Sequence, residues 1–161
     1  MPILHVQFNA QGQTPDGKTI PLPPRVGLSQ RGPCIQVTVG IARSMATQLL
    51  QQGQILPQPI SGLALIDTGA SATCIDEAVA QQLQLPVVDT VMMASASHAS
   101  TPQNVYPIQI EVVGLPFIID APRAIGAALD NQELLLLIGR DVLQQCTLFY
   151  NGVTGEITLA I

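Results

Sequence analysis

Apolar and polar positions alternate along "ILHVQFNA" (3–10) and "CIQVTVGI" (34–41), predicting two strands joined by the Pro- and Gly-rich connection "TPDGKTIPLPPRVGLSQRGP" (14–33). The period then changes: over 42–52, "ARSMATQLLQQ", Met45, Leu49 and Leu50 share one helical face and Gly53 supplies a stop, so a short helix is predicted. "LALI" (63–66) is a continuous apolar run, as in a strand buried on both sides, and it leads directly into Asp67. "DEAVAQQLQL" (76–85) predicts a second helix, capped by Asp76, burying Val79 and Leu83, and ended by Pro86. "VVDTVMM" (87–93) and "VYPIQIEVVG" (105–114) predict strands on either side of a polar loop, together forming a long hairpin over 87–113. "PFIIDAP" (116–122) predicts a further strand, followed by a looser "RAIGAALDNQE". "LLLLIG" (134–139) is a second buried run, "RDVLQQ" (140–145) has room for one or two helical turns, and "CTLFYNGVTGEITLAI" closes the chain as two strands about an Asn-Gly turn.

Composition narrows this to one all-β domain spanning 1–161. The chain is 47% hydrophobic and 11% charged, the reverse of a disordered composition, and 13 Gly and 13 Pro divide it into many short segments. A formal charge of −5 with no basic run argues against nucleic acid as a partner. Cys34, Cys74 and Cys146 are widely spaced and contain no CxxC pair, so neither a disulfide framework nor a metal site is expected; no cofactor is implied. Cys74 and Cys146 stand in apolar contexts and are expected in the core. Reduced thiols, the lack of a signal-like start and the absence of a membrane-length apolar window predict a soluble cytoplasmic protein with no membrane partner.

The chemistry concentrates at "LIDTGAS", where a carboxylate follows a buried strand, a position that is costly for a lone charge. With the helix after it, the long hairpin, and "LLLIGRDVLQQCTLFY" some seventy residues on, the chain resembles the retroviral-type (retropepsin-like) aspartic proteases over about 33–161. The resemblance implies a closed barrel, or acid-protease half, with one or two short helices, active as a homodimer on a peptide or protein substrate. Asp67 would be catalytic, with Thr68 bonding the opposing loop and Gly69 allowing close approach of the substrate backbone. Gly69, Ala70 and Ser71, with Ala96, Ser97 and His98 at the hairpin tip, would contact substrate; Ile138, Gly139 and Arg140 would support the catalytic loop from beneath.

Peptide hydrolysis needs a base for water and an acid for the carbonyl oxygen, and two carboxylates about 3 Å apart supply both by sharing one proton. The chain carries only one Asp-Thr-Gly loop, since Asp76, Asp120 and Asp130 stand in "IDEA", "IDAP" and "LDNQ". The second carboxylate is therefore expected from the twin Asp67 across a twofold axis.

Several positions decide how far the chain follows the family pattern. Ser71 occupies the place of the acid that usually pairs with the Arg of Gly-Arg, so Arg140 must find another carboxylate or the dimer is held differently. Ala70 is as in the retroviral enzymes and lacks the hydroxyl found there in pepsin-like enzymes, so the resemblance implies a mildly acidic to near-neutral optimum. No Gly occurs between Gly69 and Gly114, so the flap formed by 87–113 is expected to be stiffer or wider at its tip. The segment 42–60 is an insertion, and the chain runs on past "CTLFY", so an altered interface still using terminal strands is expected. Two alternatives stay open: a retropepsin-like peptide-binding or dimerisation module with little or no activity, and, with neither a DxD motif nor a Walker-type loop in its favour, phosphoryl transfer through Asp67.

Overall fold

The computed structural model describes residues 2–95, 98–116 and 118–160. Its centre is a closed barrel of six strands: β4 (Cys34–Ile41), β5 (Ile60–Ile66), β6 (Cys74–Asp76), β8 (His98–Val112), β9 (Ile118–Ala127) and β10 (Leu134–Ile138). The order around it is β4-β5-β10-β6-β9-β8, and β8 returns to β4, with Val37 opposite Val112 and Ile41 opposite Ile108. Alternation in β4 sends Ile35, Val37 and Val39 inward, where they meet Ala64, Ile75, Ile108, Ile110 and Leu136 in an aliphatic core. Each such side chain removed from water contributes on the order of 1.5–3 kcal/mol, which suffices without disulfides.

The parallel pairing of β5 with β10 positions the site. Leu65 lies opposite Leu137 and Ile66 opposite Ile138, so the chain leaves both strands at one level, and Asp67 and Gly139 emerge side by side. The Asp67 amide donates to the carbonyl of Ile138 at 3.0 Å, continuing the ladder one step beyond the strands. Helix α3 (Glu77–Gln82) starts as predicted on Asp76, and Val79 and Leu83 are buried.

Strand β7 (Asp89–Ser95) pairs with the outer half of β8, from Asp89 opposite Val105 to Ser95 opposite His98. The strands of this hairpin run further than expected: of the polar stretch read as loop, 94–104, the described residues 94–95 and 98–104 are strand. A two-stranded ribbon projecting from the barrel needs backbone pairing but has no core side to impose apolar alternation, so the period-two signal fades while the strand continues. Similarly, β9 extends to Ala127 through the stretch read as looser, held between β8 and β6, and a 3-10 turn covers Asp130–Gln132.

The connection 14–33 is more structured than its Pro and Gly content suggests. β2 (Ala10–Gln13) and β3 (Thr19–Leu22) form a hairpin, and α1 (Pro24–Arg31) begins with proline at its first position, where the missing N–H costs nothing. With α2 (Arg43–Gln51) and α4 (Arg140–Leu143), the described residues contain four short α-helices. In α2, Met45 and Leu49 pack on the core but Leu50 is 60% exposed, so the predicted face is narrower than three residues. A separate sheet is ordered β1 (Ile3–Gln7), β12 (Glu156–Ala160), β11 (Thr147–Asn151). Among the described residues no helix is long and apolar enough to cross a membrane.

Candidate active site

Asp67 is half-buried at the end of β5, and its Oδ1 accepts two backbone N–H groups, from Gly69 at 2.8 Å and Ala70 at 3.2 Å. No hydrogen bond among the described residues uses its Oδ2. Thr68 and Gly69 are exposed at the loop tip, and the Thr68 hydroxyl has no bond among the described residues.

Arg140 departs from what the family pattern implies. Its Nη1 donates to the carbonyls of Thr68 at 2.8 Å and Gly69 at 2.9 Å, and its amide donates to the carbonyl of Ala70 at 3.0 Å. Among the described residues it pairs with no carboxylate; the loop's own carbonyls take the place of an acid at position 71. Bonding those carbonyls fixes the peptide planes whose N–H groups point at Asp67.

A second clamp, not singled out from the sequence, lies beneath. Asp141 accepts the Thr73 hydroxyl at 2.8 Å on Oδ1 and the Thr73 amide at 3.0 Å on Oδ2, and Thr73 Oγ1 accepts the Gly139 amide at 3.1 Å. Thr73 is fully buried, so each bond replaces water it cannot reach. Gly139 and Ile138 thus lie under the loop, and Asp141, the third residue of the quoted Gly-Arg-Asp, was the available signal for this contact.

The loop faces a cleft of about 690 Å³ lined by Ala70, Ala72, Met93, Ile125, Leu129 and Leu137, with Asp67, Gly69 and Ser71 at its polar side. Met93 comes from the hairpin, so β7 reaches over the cleft. Of the predicted tip contacts, Ala96 and Ser97 lie outside the described residues, and His98 begins β8. Asp76 does more than cap α3: besides the amides of Ala78 and Val79 it accepts that of Leu129 at 2.9 Å, tying the cleft wall to the helix.

The hairpin base has its own anchors. Tyr106 donates to Glu77 at 2.6 Å, and burial, then this bond, push its phenol up. The Arg123 guanidinium, 2.6 Å from Asp89, holds that carboxyl below the usual range. Cys74 also lines the cleft; burial first, then the Asp141 and Asp67 carboxylates, raise its thiol to about 11. Cys74 is buried and Cys146 half-buried.

A six-strand barrel that carries an Asp-Thr-Gly loop beside a Gly-Arg-Asp turn, under a projecting hairpin, has the architecture of an aspartic-protease protomer. The family model described as gag-polyprotein putative aspartyl protease matches residues 52–145, and the chain belongs to this family of retropepsin-like aspartic proteases. Among solved structures it is similar to the crystal structure of a retropepsin-like aspartic protease from Rickettsia conorii, at 12% identity and a TM-score of 0.41 over 98% of this chain and 90% of that one. No curated protein matches the chain.

Proposed function

We propose that this protein is an aspartic endopeptidase whose active form is a homodimer, each protomer contributing Asp67. The observation that carries the reading is a carboxylate held at one oxygen by two backbone N–H groups, its other oxygen free of bonds among the described residues, at the wall of an apolar cleft overhung by a hairpin.

In this reading the two Asp67 carboxylates face each other across the twofold axis and share one proton, because like charges about 3 Å apart do not both ionise. The ionised partner takes a proton from water as its oxygen bonds to the peptide carbonyl carbon. The protonated partner gives its proton to the carbonyl oxygen. Collapse of the tetrahedral intermediate breaks the C–N bond: the carboxyl that took the water proton gives it to the leaving nitrogen while the other carboxylate takes a proton from a hydroxyl of the intermediate, which leaves the pair with one shared proton. The Thr68 hydroxyl, exposed and without a bond among the described residues, is available to the backbone of the opposing loop; Arg140 and Gly139 hold the loop's shape. Gly69, Ala70 and Ser71 form the floor on which an extended peptide lies, and the hairpin, with Ala96, Ser97 and His98 at its end, covers it.

The test is cleavage of a mixed peptide library at several pH values by wild type and Asp67→Asn, with association state measured in parallel. Cleavage by wild type alone, from a dimer, supports the proposal; equal cleavage by both removes Asp67 from the chemistry. Peptide retention by both proteins with no cleavage assigns the chain to the binding-module alternative.

A further inference from the structure

The projecting hairpin joins the barrel at an irregular step. Residues 98–104 of β8 pair only with β7 among the described residues, whereas Val105 pairs with both Asp89 of β7 and Ile125 of β9. The register of β8 against β9 shifts between Tyr106 and Ile108, and Pro107 between them has no N–H to donate. The angle at which the ribbon leaves the barrel therefore depends on what fastens it at 105–107.

Two side-chain contacts do so among the described residues, and they differ in strength. The Arg123–Asp89 pair lies on the surface, with side chains 59% and 46% exposed, where water screens it and its net worth is small. Tyr106 is only 3% exposed, and its hydroxyl donates to a Glu77 oxygen at 2.6 Å, a short bond to a carboxylate. Asn104, two residues back and so on the same face of the strand, donates to the Tyr106 hydroxyl at 3.2 Å and to the same Glu77 oxygen at 3.4 Å. Asn104 belongs to the ribbon, Tyr106 to the barrel edge and Glu77 to α3, so this network spans the step.

The fold leaves room for it. Gly126, on β9 opposite Ile75, lies against the pair: a Cβ there would overlap the Glu77 carboxylate and stand 3.1 Å from the Tyr106 ring. Gly126 is not one of the glycines at positive φ, so space and not backbone conformation calls for glycine here. Glu77 also follows Asp76, whose carboxylate caps α3 and accepts the Leu129 amide in the cleft wall. Two consecutive side chains thus hold the hairpin and the cleft wall in one relation.

From this placement we propose that Glu77, Tyr106 and Asn104 are positioning residues for peptide hydrolysis, setting the angle of the hairpin over the cleft and so how tightly an extended peptide is held. This rests on the proposed endopeptidase function and adds which residues govern its peptide affinity. None of the three lines the cleft; they act through the hairpin, whose Met93 does. A hairpin released from the network samples other angles, and apparent affinity falls by the fraction of time it spends closed. The groups that bond Asp67 are untouched, so bound peptide is cut at the same rate.

The experiment measures kcat and KM on a library peptide that wild type cleaves. Tyr106→Phe, which removes one oxygen and keeps the buried ring, and Glu77→Ala each raise KM about tenfold with kcat within about twofold. The double variant raises KM no further than Glu77→Ala alone, since both changes remove one bond. Glu77→Gln keeps an oxygen to accept the hydroxyl and restores most of the affinity. Gly126→Ala displaces the carboxylate while leaving Glu77 and Tyr106 themselves intact, so it repeats the rise in KM and carries the test even where a Tyr106 variant fails to fold. Asp89→Asn, which loses only the exposed pair, changes KM by less than about twofold. A purely structural role would instead lower the amount of folded enzyme, and with it kcat, at unchanged KM. That result, or additive effects on KM in the double variant, overturns this inference and leaves the proposed function standing. If wild type cleaves no peptide, both fall.

Discussion

Replacing Gly139 with alanine tests whether the Gly-Arg-Asp turn sets the shape of the Asp67 loop. A Cβ added at Gly139 would overlap the carbonyl carbon of Ala72 and lie 2.5 Å from its oxygen and 2.8 Å from the Thr73 nitrogen. All three are backbone atoms, so no side chain can swing aside, and relief to an ordinary contact needs a shift of about 1 Å in the chain. Overpacking of this kind costs about 1–3 kcal/mol. The shift also stretches the bond from the Gly139 amide to Thr73 Oγ1, now 3.1 Å, worth about 1 kcal/mol. The sum is about 2–4 kcal/mol. With a urea slope of about 2 kcal/mol/M, the unfolding midpoint falls by about 1–2 M. Gly40→Ala is the internal comparison, because its added Cβ meets only Pro59, at 3.7 Å, and should move the midpoint little. Both are measured by urea unfolding at one fixed protein concentration, since association contributes to apparent stability. Any folded Gly139→Ala should also lose about a hundredfold in peptidase rate, the cost of an ångström-scale misplacement. Equal midpoints for the two variants, or an unchanged Gly139→Ala, would refute the close-approach argument.

Arg140→Lys loses the two-carbonyl grip on Thr68 and Gly69, so kcat/KM should fall about tenfold or more while stability changes by less than about 1 kcal/mol; a change in stability alone would make Arg140 a packing residue. Asp76→Ala strands three backbone N–H groups, and since Asp76 is only 5% exposed the loss should be about 2–4 kcal/mol in urea unfolding, with a raised KM from the loosened Leu129 wall. Cys74 keeps its proton to about 11 when folded but releases it in the ordinary thiol range when unfolded, so the folded form holds more protons between these values and stability falls as pH rises across that window. Cys74→Ala should flatten the decline in alkaline urea titrations, leaving the same-sign contributions of Cys34, Cys146 and Tyr106; parallel declines would contradict this.

What the sequence revealed follows a physical division. Buried strands announce themselves, and "LALI", "LLLLI" and "CIQVTVGI" lie where their patterns place them, because a strand against a core has no freedom in which side chains it turns inward. The Asp-Thr-Gly loop and its meeting with Gly139 were legible through the family resemblance. Structure held by backbone pairing alone was not: the polar outer half of the hairpin and the 10–22 hairpin have little apolar alternation to read. The partners of polar side chains were also hidden. Asp76 reads as a cap from its local context, but its bond to Leu129 spans 53 residues, and Arg140's choice of two carbonyls depends on loop geometry that no spacing encodes.

The terminal sheet constrains how two protomers of the proposed enzyme would meet. An exchange of terminal strands between protomers requires a partner strand to enter beside a terminal strand. Here β12 already has both edges filled by its own chain, with Ile3–Gln7 on one side and Thr147–Asn151 on the other, five paired residues each. A partner strand entering there would have to displace one of these ladders, giving up bonds it could only replace in kind. The outer edges of β1 and β11 are different. β11 carries no charged residue or proline, the features that usually protect an edge, and its Phe149 and Tyr150 are 61% and 49% exposed. An edge strand meeting its twin across a twofold axis perpendicular to it runs antiparallel to it, so β11 has a route to pair with itself without any exchange of termini. For the proposed dimer, contact along such an edge would leave every ladder of the terminal sheet in place.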